Sequence, residues 1–156
     1  MSNKKGQWII FDSNQSINEA FVESMSIKGY YLALLIDRDN EDFPFTIHGL
    51  WPQYNANHWP QFCKKQPFDL ERLRPLLPEL HKAWHSYRGS DEHFWEHEWL
   101  KHGTCTGMNE ILYFTRALLC YEKCKAQGNQ WVAAHFNGRT HNIPIDLEFN
   151  VGHLVF

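Results

Sequence analysis

Between Phe94 and Cys105 the chain reads Phe-Trp-Glu-His-Glu-Trp-Leu-Lys-His-Gly-Thr-Cys, and several of these side chains can move a proton or hold an anion. At 100° per residue, His97, Glu98, Lys101 and His102 share an arc of about 140° on a helix, so all four can border one cleft. Two imidazoles, a carboxylate and an ammonium are the parts of a general acid–base site. The plain alternative is a solvated helix face on which Glu98 pairs with His102 four residues on. Interleaved Phe94, Trp95, Trp99 and Leu100 weigh against it, because they would half-bury that surface and make purposeless charges costly. Glu96 reads as a surface residue. His97-Glu98 followed by His102 invites comparison with the zinc motif H-E-x-x-H, but the imidazoles are five residues apart and point about 140° from each other, so no metal is expected. A second segment, Phe45 to Pro52, sets His48 at the end of a short apolar run, just before Gly49 and Pro52. Taken alone, such a histidine reads as structural.

The elements that must position these residues follow from apolar spacing. Ser13-Asn14-Gln15-Ser16 suits a helix start, with Ile17, Ala20, Phe21 and Met25 on one face. Tyr30 to Ile36 is a continuous apolar run between Gly29 and the acidic Asp37–Asp42 stretch, which suits a buried strand. Phe45 to His48 is a shorter strand, and Gly49 to Pro67, rich in Pro, Asn, Gln and Trp, reads as a surface excursion. Asp69 can cap a helix carrying Leu70, Leu73, Leu77, Leu80 and Trp84, which Pro75 and Pro78 must kink or split. Ser90-Asp91 offers another start, before Phe94, Trp95, Glu98 and His102. Asn109 to Lys125 reads as a helix with Leu112, Thr115, Leu118 and Leu119 inward. Ile143, Ile145, Leu147 and Phe149 alternate like a strand. Helices interspersed with strands in this way favour an α+β fold.

A length of 156 residues suits one domain, 1–156, with a core of its own. With 43% hydrophobic and 21% charged residues, the composition excludes disordered, collagen-like and coiled-coil classes. No apolar run approaches the ~20 residues that cross a bilayer, so no membrane partner is expected. Met1 to Trp8 lacks the apolar segment of a secretory signal, and the expectation is that any export signal is missing or was removed. The formal charge of −3 announces no polyanion partner at pH 7, yet protonating all ten histidines would take it to +7. Seven Trp, six Tyr and eleven Phe predict a large aromatic core plus a few exposed rings that could stack on flat ligands. Four cysteines form no C-x-x-C pair. A bridge between Cys63 and Cys105 would constrain the unfolded chain by about 4 kcal/mol in an oxidising compartment. Cys120 and Cys124 read as buried thiols.

FTIHGLWP around His48 and FWEHEWLKHGTC around His102 resemble the two active-site signatures of the ribonuclease T2 family, in that family's order and approximate separation. Tyr30 to Leu35 looks like its first core strand and Leu76 to Trp84 like the helix before its second signature, so the resemblance covers residues 28 to 125. It implies a central, mainly antiparallel sheet with several helices packed on it. It implies a metal-independent endoribonuclease, with no cofactor, that cleaves single-stranded RNA through 2′,3′-cyclic phosphates to 3′-phosphate ends. The acid–base pair would be His102 as base and His48 as acid, with Lys101 stabilising the non-bridging oxygens, Glu98 orienting the phosphate and tuning His102, and His97 binding the phosphate. Trp51, Phe94 and, more weakly, Trp59 would stack on the base. Cys63 and Cys105 stand where the family has a disulfide. The other function class is an RNA- or ligand-binding protein that keeps the fold with little turnover. A protein inhibitor or carrier could be a further partner. The resemblance implies a secreted or other extracytoplasmic setting, while the lack of a signal in this chain leaves an intracellular or delivered, toxin-like role open. The chain departs from the family at Asp37-Arg38-Asp39-Asn40, at Gln53, where many members carry an acidic residue, and in a shorter C-terminal region without late cysteines.

Overall fold

The computed structural model describes residues 26–153 and 155–156. The helix expected to begin at Ser13 to Ser16, with Ile17, Ala20, Phe21 and Met25, lies outside the described residues. Strands β1 (Gly29–Ile36) and β2 (Phe45–Gln53) come first. A 3-10 segment (Leu70–Leu76) then leads into α1 (Leu77–Ala83), followed by α2 (Asp91–Lys101), a 3-10 turn (Gly103–Cys105), α3 (Glu110–Gln127), α4 (Asn129–Ala133) and β3 (His141–Ile145). The strands form one antiparallel sheet in the order β2-β1-β3. Helices packed on an antiparallel sheet are the α+β arrangement the sequence implied.

β2 is longer than expected. Its predicted end at His48 and the excursion from Gly49 are corrected: the strand runs on through Pro52 to Gln53. Pro52 is tolerated because β2 is an edge strand and one side of its backbone needs no ladder partner. Within it, Leu34 pairs with Ile47 and Ala33 with Gly49, so His48 is the extra residue of a β-bulge. A bulge breaks the two-residue alternation of a strand. Ile47 and Leu50, three apart, therefore both enter the core, while His48 and Trp51, also three apart, both face the other way. His48 is aimed by the bulge. Its carbonyl accepts from Trp84 Nε1 at 3.0 Å, and Trp95 Nε1 donates to the Trp84 carbonyl at 2.7 Å, so two buried indoles hold the bulge in place.

Asp69 caps the 3-10 segment by accepting from the Glu71 N–H, and the two prolines act as expected: the 3-10 segment holds Pro75, and α1 starts with Pro78 in its first turn. On α3 the expected inward face is corrected, since Leu112 and Leu119 are exposed and the helix buries Tyr113, Phe114, Ala117, Cys120, Tyr121 and Cys124. Two helical stripes of apolar residues compete there, and the aromatic one has more surface to bury. β3 also stops earlier than the alternation suggested. The Asp146 carboxylate accepts from the N–H groups of Glu148 and Asn150, which turns the chain out of the ladder. Leu147 is left exposed, and Phe149 stacks on Tyr30 at 5.1 Å with Arg116 over its ring. The core joins Leu32, Leu34, Ile47 and Leu50 of the sheet to Trp84, Trp95, Trp99, Tyr113 and Phe114 of the helices.

Candidate active site

Ser90 caps α2 by accepting from the His93 N–H, and Trp95 and Trp99, both fully buried, anchor the helix to the core. Glu98 is carried between them and is buried as well. The helix ends at Lys101. His102 is its C-cap, with φ −116° and an N–H that still donates to the Glu98 carbonyl, and the 3-10 turn at Gly103 redirects the chain. A Cβ at Gly103 would overlap the Trp99 ring, so only glycine lets the turn close on the helix.

Two rows of residues cross the sheet below Glu98. Trp51 pairs with Tyr31 and Tyr31 with Pro144, while Gly49 pairs with Ala33 and Ala33 with Asn142. The small Gly49 and Ala33 make the second row a hollow. A Cβ at Gly49 would overlap Glu98 Oε1 and Trp51 Nε1, so the glycine makes room for the carboxylate above the strand. Trp51 Nε1 donates to Glu98 Oε1 at 2.9 Å. His48 Nε2 lies 3.6 Å from Glu98 Oε2, and His102 Nε2 lies 3.9 Å from Glu98 Oε1. These are charge-range contacts and too long for hydrogen bonds. The His102 ring stacks on Trp51 at 5.1 Å, and His48 meets Trp51 edge-on at 5.2 Å.

His48, Trp51, Trp59, His97, Glu98, Lys101 and His102 all line one cavity of about 450 Å³. Phe94 packs edge-on against His48 at 5.6 Å but does not line the cavity. Cys63 and Cys105 form a disulfide that ties the loop after β2 to the turn after α2, while Cys120 and Cys124 are free and buried. Among the described residues, no group of three or more His, Cys, Asp or Glu is arranged to hold a metal ion.

Sequence reasoning missed much of the opposite wall, made by Tyr31, Asn137, Arg139, Thr140 and Asn142, and did not see that Gln53 lines the cavity. Tyr31 had one local signal: it is a polar-tipped residue on the face of β1 opposite Tyr30 and Leu32. Asn137 accepts from the N–H groups of Arg139 and Thr140, a turn that Asn-Gly announces, but nothing local places that turn beside His48.

Burial governs the charges. It holds His48 down at about 4, helped by His97, Lys101 and Arg139. It holds His102 down at about 3, helped by Lys101, His48 and His97. It pushes Glu98 up to about 7 against the Trp51 hydrogen bond and Lys101. His97 is lowered too, by burial and then by Lys101 and His93. Near neutrality the cavity therefore holds neutral imidazoles, a partly protonated carboxyl and the cations Lys101 and Arg139. An entering anion would favour the charged form of each histidine.

The family model described as the ribonuclease T2 family matches residues 23–135. Intracellular ribonuclease LX of Solanum lycopersicum is 44% identical over 81 residues, 49% of this chain and 34% of that protein. A ribonuclease-like storage protein of Panax ginseng is 44% identical over 79 residues, 47% of this chain and 33% of that protein. The crystal structure of RNase NT in complex with 5′-AMP superposes with a TM-score of 0.52 at 30% identity, over 67% of this chain and 59% of that one. The chain spans about a third of the length of these curated relatives.

Proposed function

The chain belongs to the ribonuclease T2 family, and on that footing we propose that it is an endoribonuclease cleaving single-stranded RNA by attack of the 2′-hydroxyl on the adjacent phosphate. The observation that carries this reading is the convergence of His48 and His102 on one buried carboxylate, within 4 Å of Glu98, in a cavity that Lys101 and His97 also line. The reaction needs a base for the 2′-proton, an acid for the leaving 5′-oxygen, and positive charge near the phosphorane.

His102 is the more buried imidazole, 6% exposed against 34% for His48, so its charged form is the more strongly disfavoured in the free cavity; it takes the 2′-hydroxyl proton. The oxygen attacks phosphorus, the P–O5′ bond breaks, and His48, more exposed and more easily protonated, gives its proton to the leaving oxygen. This yields a 2′,3′-cyclic phosphate and a free 5′-hydroxyl. In the second half, water attacks the cyclic phosphate with the two roles exchanged and leaves a 3′-phosphate. Lys101 balances the charge on the non-bridging oxygens, His97 binds the phosphate, and Glu98 orients it while Trp51 fixes Glu98. Trp51 and Trp59 line the cavity where a base can stack, Phe94 backs His48, and Gln53, whose amide donates to the Asn55 carbonyl, lines the same cavity.

No metal enters this mechanism. The Cys63–Cys105 disulfide supports an extracytoplasmic or otherwise oxidising setting. One observation favours the alternative of a binding protein with little turnover, the likeness to the ginseng storage protein. Incubating a dinucleoside monophosphate with the protein in EDTA separates the readings. The expected products are the 2′,3′-cyclic phosphate and then the 3′-phosphate, at a rate that added zinc does not raise. A 5′-phosphate product, or cleavage that stops in EDTA and returns with zinc, would overturn the mechanism, and unchanged substrate would favour the binding protein.

A further inference from the structure

Gly138 and Arg139 form the tip of a tight turn between Phe136 and His141, which bridge antiparallel to each other. Hydrogen bonds fix the turn. Asn137 donates its N–H to the Thr140 carbonyl and accepts at Oδ1 from the N–H groups of Arg139 and Thr140, each at 3.0 Å. Gly138 takes φ +102°, which other residues adopt only with strain. Thr140 Oγ1 donates to Asn142 Oδ1 at 2.6 Å, and the buried His141 ring packs on Phe136 and Phe45, so the turn is anchored to the sheet. This restrained backbone carries a side chain that packing leaves unused. Arg139 is exposed, and among the described residues its guanidinium has no hydrogen-bond, ion-pair or ring partner. It nevertheless lines the cavity, and its neighbours on that wall, Asn137, Thr140 and Asn142, are neutral. Among the described residues the one acid lining the cavity is Glu98, which α2 carries and which already accepts from Trp51. Lys101 is also on α2, so the two permanent cations of the cavity stand on opposite walls. Both lie near enough to His48 to lower its pKa. With the imidazoles neutral near pH 7, these two cations supply the charge that draws in an anion. A planar guanidinium fork matches two oxygens of a phosphate, which an ammonium meets only as a point charge.

We propose that Arg139 binds the non-bridging oxygens of the scissile phosphate from the wall opposite Lys101, so that permanent cations grip the phosphate from two sides. The inference rests on the RNA-cleaving reading for its substrate, but the contact can be measured without cleavage. A deoxycytidine dinucleotide lacks the 2′-hydroxyl and cannot react, so its affinity reports binding alone. The same dinucleotide with a neutral methylphosphonate linkage keeps both bases and loses the charge at that one phosphate. Wild type is expected to bind the phosphodiester more tightly than the methylphosphonate, and Arg139→Gln to cut that preference about tenfold, the scale of one charge-assisted contact. Pairing the variant with the altered linkage isolates this contact from any general loss of binding. Arg139→Lys recovers part of the preference, because it returns the charge without the fork. Arg139→Gln melts where wild type does, since the guanidinium makes no contact within the fold, and its kcat/KM on a dinucleoside monophosphate falls about tenfold. A wild-type protein indifferent to the linkage charge would overturn the inference. So would an Arg139→Gln preference equal to wild type, or equal losses for both ligands with a lower melting temperature. RNA cleavage measured in parallel keeps the two readings apart. Cleavage by wild type with an unchanged Arg139→Gln preference removes the Arg139 contact alone, and a lowered preference in a protein that does not cleave removes the nuclease reading alone.

Discussion

At the residue scale, the environment of Glu98 sets the chemistry. Taken alone, a carboxylate 3.6 Å from His48 and 3.9 Å from His102 is expected to favour the charged forms of both. Burial reverses that expectation, because it pushes Glu98 up to about 7 and holds His48 at about 4 and His102 at about 3. Since kcat/KM reports the free protein, its value on a dinucleoside monophosphate is expected to be greatest near pH 4, where His48 can carry a proton while His102 stays neutral, and to fall toward neutrality. The optimum of kcat is expected at higher pH, because bound phosphate stabilises both imidazolium forms. A kcat/KM that climbs steadily into alkaline solution would contradict the two-histidine pair. The same shifts have signs for stability. Stability from the neutral His48 and His102 is present above their ordinary value of 6.5 and is lost as pH falls through about 4 and 3, whereas that from Glu98 is present below 4.5 and is lost as pH rises through about 7. His48, His97, Glu98, Lys101 and His102 were legible because they sit in two short segments whose residue types are uncommon together. Asn142 was not, because it reaches the cavity through its pairing with Ala33, nor was Arg139, which sits in the turn leading into that strand; no local pattern encodes either placement.

At the element scale, the bulge in β2 decides whether His48 faces the cavity at all. The sequence showed a strand reaching His48 but hid the bulge, since an unpaired residue is defined by its partner strand and β1 carries no mark of the shift between Ala33 and Leu34. Glycine and proline were read there as punctuation, when an edge position admits the proline and the Glu98 carboxylate requires the glycine. Trp84 is the bulge's outside support. Trp84→Phe removes the donor to the His48 carbonyl and leaves that part-buried group without this partner, a loss of about 1 kcal/mol in denaturant unfolding. Because it frees His48 to move, the variant is also expected to lower kcat more than it raises KM. Unchanged kcat in a destabilised variant would mean that the bulge keeps its geometry without the indole. The disulfide steadies the other segment. Cys63→Ser is expected to lower stability by about 4 kcal/mol in the loop-entropy account, and reductant to affect the wild type but not the variant. Thiol titration of the unfolded, unreduced protein then counts two reactive groups, Cys120 and Cys124, and a count of four would exclude the bridge.

At the scale of the whole molecule, the aromatic load read from composition divides as expected between the core and a few exposed rings, Trp59 and Phe62 among them. The family match ends at residue 135, yet Asn137 to Asn142 complete the cavity wall, so part of the site is built by chain outside the matched segment. Arg139 is the cation of that wall. Because histidines outside the buried site gain charge first on mild acidification of a chain with a formal charge of −3, RNA affinity is expected to grow as pH falls and to weaken with salt. The central claim, however, is that His48 and His102 act as one pair in one step. It is tested most directly by kcat/KM for His48→Ala, His102→Ala and the double variant on one dinucleoside monophosphate, with circular dichroism confirming that each is folded. Each single replacement is expected to cost at least ~100-fold, and the double replacement little more than either alone, because removing one partner already disables the shared step. Near-wild-type turnover by a folded single variant, or losses that multiply in the double, would contradict the account.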